Sequence, residues 1–161
     1  MKRLHTLMFF LVFLFIGATP TVDAASVDEL LTCDGNAWEG QPNACPNIND
    51  LYDTDKSFKA VVDKTLDPVG LDGMFGAKGY MDGPGGNMYP VNINNKIWIE
   101  SGGCKANACG WEYIVTLYNP HTKKLVGYYY NIDPGYLIWF GDIGVAEFAY
   151  LVKKYAEQSK Y

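Results

Sequence analysis

The longest unbroken apolar run is Leu7 to Ile16, ten residues preceded by the basic pair Lys2 and Arg3. A basic start, an apolar centre and small residues at Val22 and Ala24 read as a secretory signal cleaved after Ala24. Ten residues fall well short of the roughly 20 that a spanning helix needs, and no later stretch comes close, so the mature chain is expected to be soluble. Beyond the signal the pattern becomes amphipathic. Residues 25–50, with Gly35, Gly40, Pro42 and Pro46, read as an irregular arm stapled to a domain over 51–161. Thr54 or Asp55 suits a helix N-cap, and Phe58, Val61, Val62, Thr65 and Leu66 then repeat at helical spacing until Pro68 stops the run. The glycine-dense stretch from Leu71 to Gly86 reads as a long loop.

Alternation takes over after the glycines. Met88–Ile93 and Lys96–Glu100 predict two strands joined by Asn94-Asn95, a two-residue hairpin signal because Asn tolerates positive φ. Trp111–Tyr118, Leu125–Ile132 and Leu137–Phe140 predict three more. Val145–Glu157 predicts a closing helix, apolar at Val145, Phe148, Ala149, Val152 and Tyr155. Helix, antiparallel meander, helix is an α+β arrangement of about five strands, with helices covering the apolar face of the sheet. There is no internal repeat.

Cleavage leaves 137 residues, 17 acidic and 11 basic, for a net charge of −6. That length favours one domain. An acidic chain without a basic cluster argues against nucleic acid and against an anionic membrane surface. The acids are unevenly placed: residues 25–95 carry 11 against four bases, and residues 96–161 carry six against seven. An acidic half can steer a basic protein partner.

The four cysteines, Cys33, Cys45, Cys104 and Cys109, all lie in the mature part. An even number in an exported chain reads as two disulfides. Three pairings are open, and the turn-rich loop inside each neighbouring pair favours Cys33 with Cys45 and Cys104 with Cys109. His121, in the turn after Asn119-Pro120, is the single mature histidine, which leaves no histidine triad or multi-histidine metal site. No cofactor or metal is expected. Asp82-Gly83-Pro84-Gly85-Gly86 lacks the lysine and following helix of a phosphate loop.

Three features bear on function. Gly102-Gly103-Cys104-Lys105-Ala106-Asn107-Ala108-Cys109-Gly110 lies between two strands. When bridged, it forms a small ring with little conformational entropy left to lose on docking. The mature chain keeps 20 aromatic residues, among them Tyr128-Tyr129-Tyr130 on one strand, and at least one of the three is expected to leave the core. Trp98 and Trp111 would suit glycan contact. Glu100 and Glu112, on strands flanking the ring, are the one candidate carboxylate pair for glycoside hydrolysis. Catalysis is not expected of them.

The order of these features resembles the inhibitor of vertebrate lysozyme family, Ivy, over roughly Leu51 to Lys154. That family's hallmark is a ring C-K-P-H-D-C followed by G, against Cys104-Lys105-Ala106-Asn107-Ala108-Cys109-Gly110 here. Ile114-Val115, Val126-Gly127, Asn131-Ile132-Asp133 and Leu137-Ile138-Trp139 are similar to the family's later strands. The resemblance implies a periplasmic inhibitor, not an enzyme. Its ring, residues 104–109, would enter the cleft of a c-type lysozyme or a related muramidase or effector. Asn107 stands where the family's histidine meets the catalytic carboxylates, Ala106 replaces the proline and Ala108 the aspartate. A neutral amide still donates hydrogen bonds, without the charge assistance that roughly doubles their strength. The partner is then a peptidoglycan hydrolase, from a host or, for an immunity protein, from a rival bacterium. The other reading is a non-inhibitory module of the same fold that binds glycan or an envelope partner. Homodimer formation is left open.

Overall fold

The structure, a computed structural model, describes residues 29–158 apart from 36, 38–40, 42, 82, 84, 85 and 134. The signal expected over 1–24 lies outside the described residues. Among them, no helix is long and apolar enough to cross a membrane.

Five antiparallel strands form one meander: β1 (Tyr89–Ile93), β2 (Lys96–Cys104), β3 (Glu112–Asn119), β4 (Lys124–Asn131) and β5 (Tyr136–Phe140), each paired with the next. Asn94 and Asn95 both take positive φ, 51° and 61°. That conformation makes the tight β1–β2 hairpin and aligns Ile93 with Lys96. The fold is α+β, with three α-helices among the described residues: α1 (Ile48–Thr54), α2 (Lys56–Leu66) and α3 (Val145–Gln158). The cap of α2 is Asp55, whose carboxylate accepts from Ser57 N at 2.7 Å and Phe58 N at 3.0 Å.

Both faces of the sheet are covered, not one. On the first face, Ile99, Ile114, Tyr118, Leu125, Tyr129 and Phe140 meet Ile48 and Leu51 of α1 and Phe58, Val62 and Leu66 of α2. On the second, Trp98, Tyr113, Val115, Leu117, Val126 and Tyr128 meet α3 through Leu151. Strand β3 is consequently buried along its whole length. The tyrosine triplet divides between the layers: Tyr129 enters the first core, Tyr128 the second, and Tyr130 is half-buried beside it. None of the three is left on an open surface, because the second helix layer covers the face that an amphipathic sheet would expose.

The glycine-rich segment is a loop, but one that supplies core: Leu71, Met74, Phe75 and Met81 are buried. Helix α1, absent from the sequence reading, crosses the boundary expected between residues 50 and 51. Leu30 of the preceding arm is fully buried in the same core.

Helix α3 turns a partly different face inward than its apolar periodicity predicts. Leu151 is fully buried and Tyr155 packs on Tyr128 and Tyr130 as its periodicity predicts, whereas Val145 (90 % exposed), Phe148 and Val152 are exposed. Polar tips decide the rotation. Tyr150 OH donates to Glu100 Oε2, Lys154 Nζ lies 2.8 Å from Glu100 Oε1, and Tyr128 OH donates to Gln158 Oε1 at 2.9 Å. The buried Glu100 carboxylate needs Tyr150 and Lys154, with Tyr89 OH donating to Oε1 as well, since an unpaired buried charge costs several kcal/mol. Leu151→Ala is therefore expected to cost about 3 kcal/mol and Val152→Gln less than about 0.5 kcal/mol, read from urea midpoints. The reverse order would place the helix the other way round.

Candidate functional site

The candidate ring grows out of β2, which runs four residues past the expected end at Glu100. Cys104 is aligned with Tyr113 of β3, and disulfides join Cys104 to Cys109 and Cys33 to Cys45. Between the ring cysteines the chain makes one turn. Ala108 N donates to Lys105 O at 2.9 Å, and Asn107 takes φ +63° at its third position. A type II turn demands positive φ there, which glycine and asparagine supply most cheaply. Asn107 thus has a conformational reason to be asparagine, independent of any partner. Trp111 N and Glu112 N both return to Ala108 O, at 2.9 and 2.8 Å, closing the ring against β3.

The glycine loop braces the ring from the other side. Gly83 N donates to Cys104 O at 3.0 Å and Gly86 N to Gly102 O at 2.6 Å. A Cβ at Gly83 would lie 2.5 Å from Cys104 O and 2.7 Å from Ala106 N. Only glycine lets the two backbones come so close. The glycine-dense loop is therefore ring support, a role its composition alone did not show.

Cys104 is buried and Lys105, Ala106 and Ala108 are half-buried, leaving Asn107 and Cys109 at the exposed tip. Lys105 is not extended into solvent: its Nζ stands 4.0 Å from the ring centroid of Tyr80. Around this tip lies a group of exposed apolar side chains, Tyr80, Trp111, Ile132 and Tyr136. Ile132 N donates to Trp111 O at 2.8 Å, and Tyr136 aligns with Asn131, so the last three sit at the same end of adjacent strands.

The two glutamates cannot work as a pair. Glu100 faces α3 and Glu112 faces the opposite layer, where Oε1 accepts from Tyr129 OH at 2.5 Å. Two carboxylates flanking one glycosidic bond must share a cleft, and the sheet stands between these. Each is tied to tyrosine. Burial, then the hydrogen bond to Glu100, pushes the Tyr89 phenol up to about 12 and raises Tyr150 further. Burial, then Glu112, likewise raises Tyr129. These phenols stay neutral donors at physiological pH, a structural role. Trp98, weighed above for glycan contact, is 3 % exposed and unavailable, while Trp111 is 54 % exposed. His121 is exposed in a turn whose Asn119 Oδ1 accepts from His121 N and Thr122 N. Among the described residues no group of three or more histidines, cysteines or acids is placed to hold a metal ion.

Two depressions flank the ring. A cleft of about 700 Å³ runs under the disulfide over Gly102 and Gly103 to the end of α3, with Tyr89 and Tyr113 in its walls. A smaller pocket of about 290 Å³ lies between Tyr80 and Tyr136.

Fold and site together define a disulfide-bonded α+β domain that presents a braced loop on an aromatic surface. Comparison of the chain with models of protein families, with curated proteins and with solved structures finds no match.

Proposed function

We propose that the protein is an exported, non-catalytic inhibitor of a cell-wall-degrading enzyme, a c-type lysozyme or a related muramidase. It acts in the periplasm, after cleavage at Ala24, by placing the ring of residues 104–109 in the target's active-site cleft. The observation that carries this reading is the braced ring with Asn107 at its tip, surrounded by exposed Tyr80, Trp111, Ile132 and Tyr136. Rigid loops lose little entropy on docking, and tryptophan and tyrosine dominate interface energetics. The resemblance of Cys104-Lys105 and the ring spacing to the Ivy family supports the choice of target. The acidic half of the chain suits a basic hydrolase.

The test is a cell-wall turbidity assay in which residues 25–161 are titrated into c-type, g-type and i-type lysozymes. Stoichiometric inhibition of the c-type enzyme is expected, weakened about ten-fold by Asn107→Gly. Glycine removes the tip amide while keeping the positive φ, so the turn survives and only contact is lost. Inhibition of none of the three enzymes, or inhibition indifferent to both Asn107→Gly and Trp111→Ala, would reject the reading.

A second reading, a glycan-binding module, rests on the cleft of about 700 Å³. Gly110 lines it, and a Cβ there would meet nothing within 4 Å. Gly110→Leu can therefore obstruct the cleft at little cost to the fold and abolish binding of a chitin oligosaccharide if that reading holds.

A further inference from the structure

We propose that the pocket between Tyr80 and Tyr136 receives a basic side chain, arginine or lysine, of the protein that the ring engages. The proposal deepens the inhibitor reading and rests on it for the identity of the partner, but the chemistry is the pocket's own. At about 290 Å³ the pocket falls at the lower limit of roughly 300 Å³ for small-molecule sites, a size for one long side chain. Buried Leu71, Met74 and Tyr129 and half-buried Ile138 lie behind it, while the surface it exposes is mostly polar. Its walls are Tyr80 and Tyr136, 41 % and 46 % exposed.

One charge lines it, the carboxylate of the exposed Asp72, which has no hydrogen bond or ion pair among the described residues. Tyrosine faces attract cations, and a carboxylate beside them accepts the N–H donors of a guanidinium or ammonium. One face of Tyr80 already carries the chain's own Lys105, whose Nζ stands 4.0 Å from the ring centroid, which leaves Asp72 and Tyr136 to hold an incoming cation. The same contact ties pocket to ring, so a partner docked on the tip lies over the pocket mouth. The surplus of acids over bases in residues 25–95, 11 against four, adds a field of the right sign.

The experiment is an NMR titration of the chain spanning residues 25–161 with N-acetyl-arginine amide, its neutral isostere N-acetyl-citrulline amide serving as control. Saturable shifts at Tyr80, Tyr136 and Ile138 are expected with the arginine probe and not with citrulline. Asp72→Asn should weaken binding about five-fold without moving the thermal midpoint. Equal responses to both probes, responses unchanged in Asp72→Asn, or no saturable response would overturn the proposal. The readout needs no hydrolase. Arginine binding by a protein that inhibits no lysozyme would sink the inhibitor reading alone, and ring-dependent inhibition without arginine binding would sink the pocket alone.

Discussion

Gly127→Val is expected to cost about 3–5 kcal/mol, a large share of the 5–15 kcal/mol that typically holds a domain together. Gly127 sits in the centre of β4, aligned with Thr116 on one side and Phe140 on the other. A Cβ there would lie 2.1 Å from Val115 O and 2.6 Å from Phe140 Cζ. The backbone contact cannot be relieved by rotating a side chain, and Phe140, 2 % exposed, has no free space to retreat into. Moving it would open the first core where Tyr129 and Leu125 pack. The obstacle is steric, since Gly127 is not among the glycines with positive φ. Gly127→Ala should therefore already destabilise. Urea unfolding followed by circular dichroism measures the loss, with Gly110→Ala as control, because a Cβ at Gly110 meets nothing within 4 Å. Equal losses at the two positions would show that contact with Phe140 and Val115 is not the cause.

How much of this was legible beforehand depends on which physical signal each element carries. The five strands and α2 announce themselves through periodicity and through Asn94-Asn95 and Asp55, because local backbone preference and burial agree there. Helix α1 does not. It has seven residues, and its cap, Asn47 Oδ1 accepting from Asn49 N at 2.9 Å, lies in a stretch crowded with asparagine and aspartate. Such a run reads as turn unless the burial of Ile48 and Leu51 is known. Most of the inward face of α3 is hidden for a related reason. Periodicity counts apolar residues, whereas the helix is oriented by Tyr150, Lys154 and Gln158 reaching polar partners on the sheet.

The site divides the same way. Cysteine spacing located the ring, and the strand pattern put Glu100 and Glu112 beside it. Parity along a strand then fixes which face each glutamate takes, but only once the cross-strand register is known. The register runs Glu100 to Leu117 and Glu112 to Asn131, and it separates the carboxylates. What sequence reasoning missed is the brace. Nothing in the spacing of Gly83 and Gly86 says that they lie on Cys104 and Gly102, because that contact is tertiary. Tyr80, held to the ring through Lys105, is hidden in the same glycine stretch.

Opening the ring with Cys104→Ser/Cys109→Ser is expected to weaken inhibition about 30- to 100-fold while leaving a folded protein. The bridge closes only five residue steps, so in the chain-entropy account it contributes about 2 kcal/mol to stability. Most of the ring's surroundings survive its loss: Gly83 N to Cys104 O, Gly86 N to Gly102 O and the β2–β3 pairing are all backbone contacts. The tip is different. Asn107 at φ +63° is held by one turn hydrogen bond, Ala108 N to Lys105 O, and without the bridge a positive φ is a minor state for a residue other than glycine. Re-ordering two tip residues on binding costs about 1–1.4 kcal/mol each, the low end of the usual range for a residue already tethered on both sides. At 1.4 kcal/mol per ten-fold in affinity, the sum is the expected loss of about 30- to 100-fold. The inhibition constant and the thermal midpoint, measured on one preparation, separate the two effects. Inhibition falling in step with the folded fraction would mean that the bridge only stabilises the domain. Inhibition falling far more than the folded fraction would mean that the bridge pre-forms the contact. Cys33→Ser/Cys45→Ser provides the comparison, since that bridge spans 12 positions and should cost about 3 kcal/mol of stability with no direct effect on the tip.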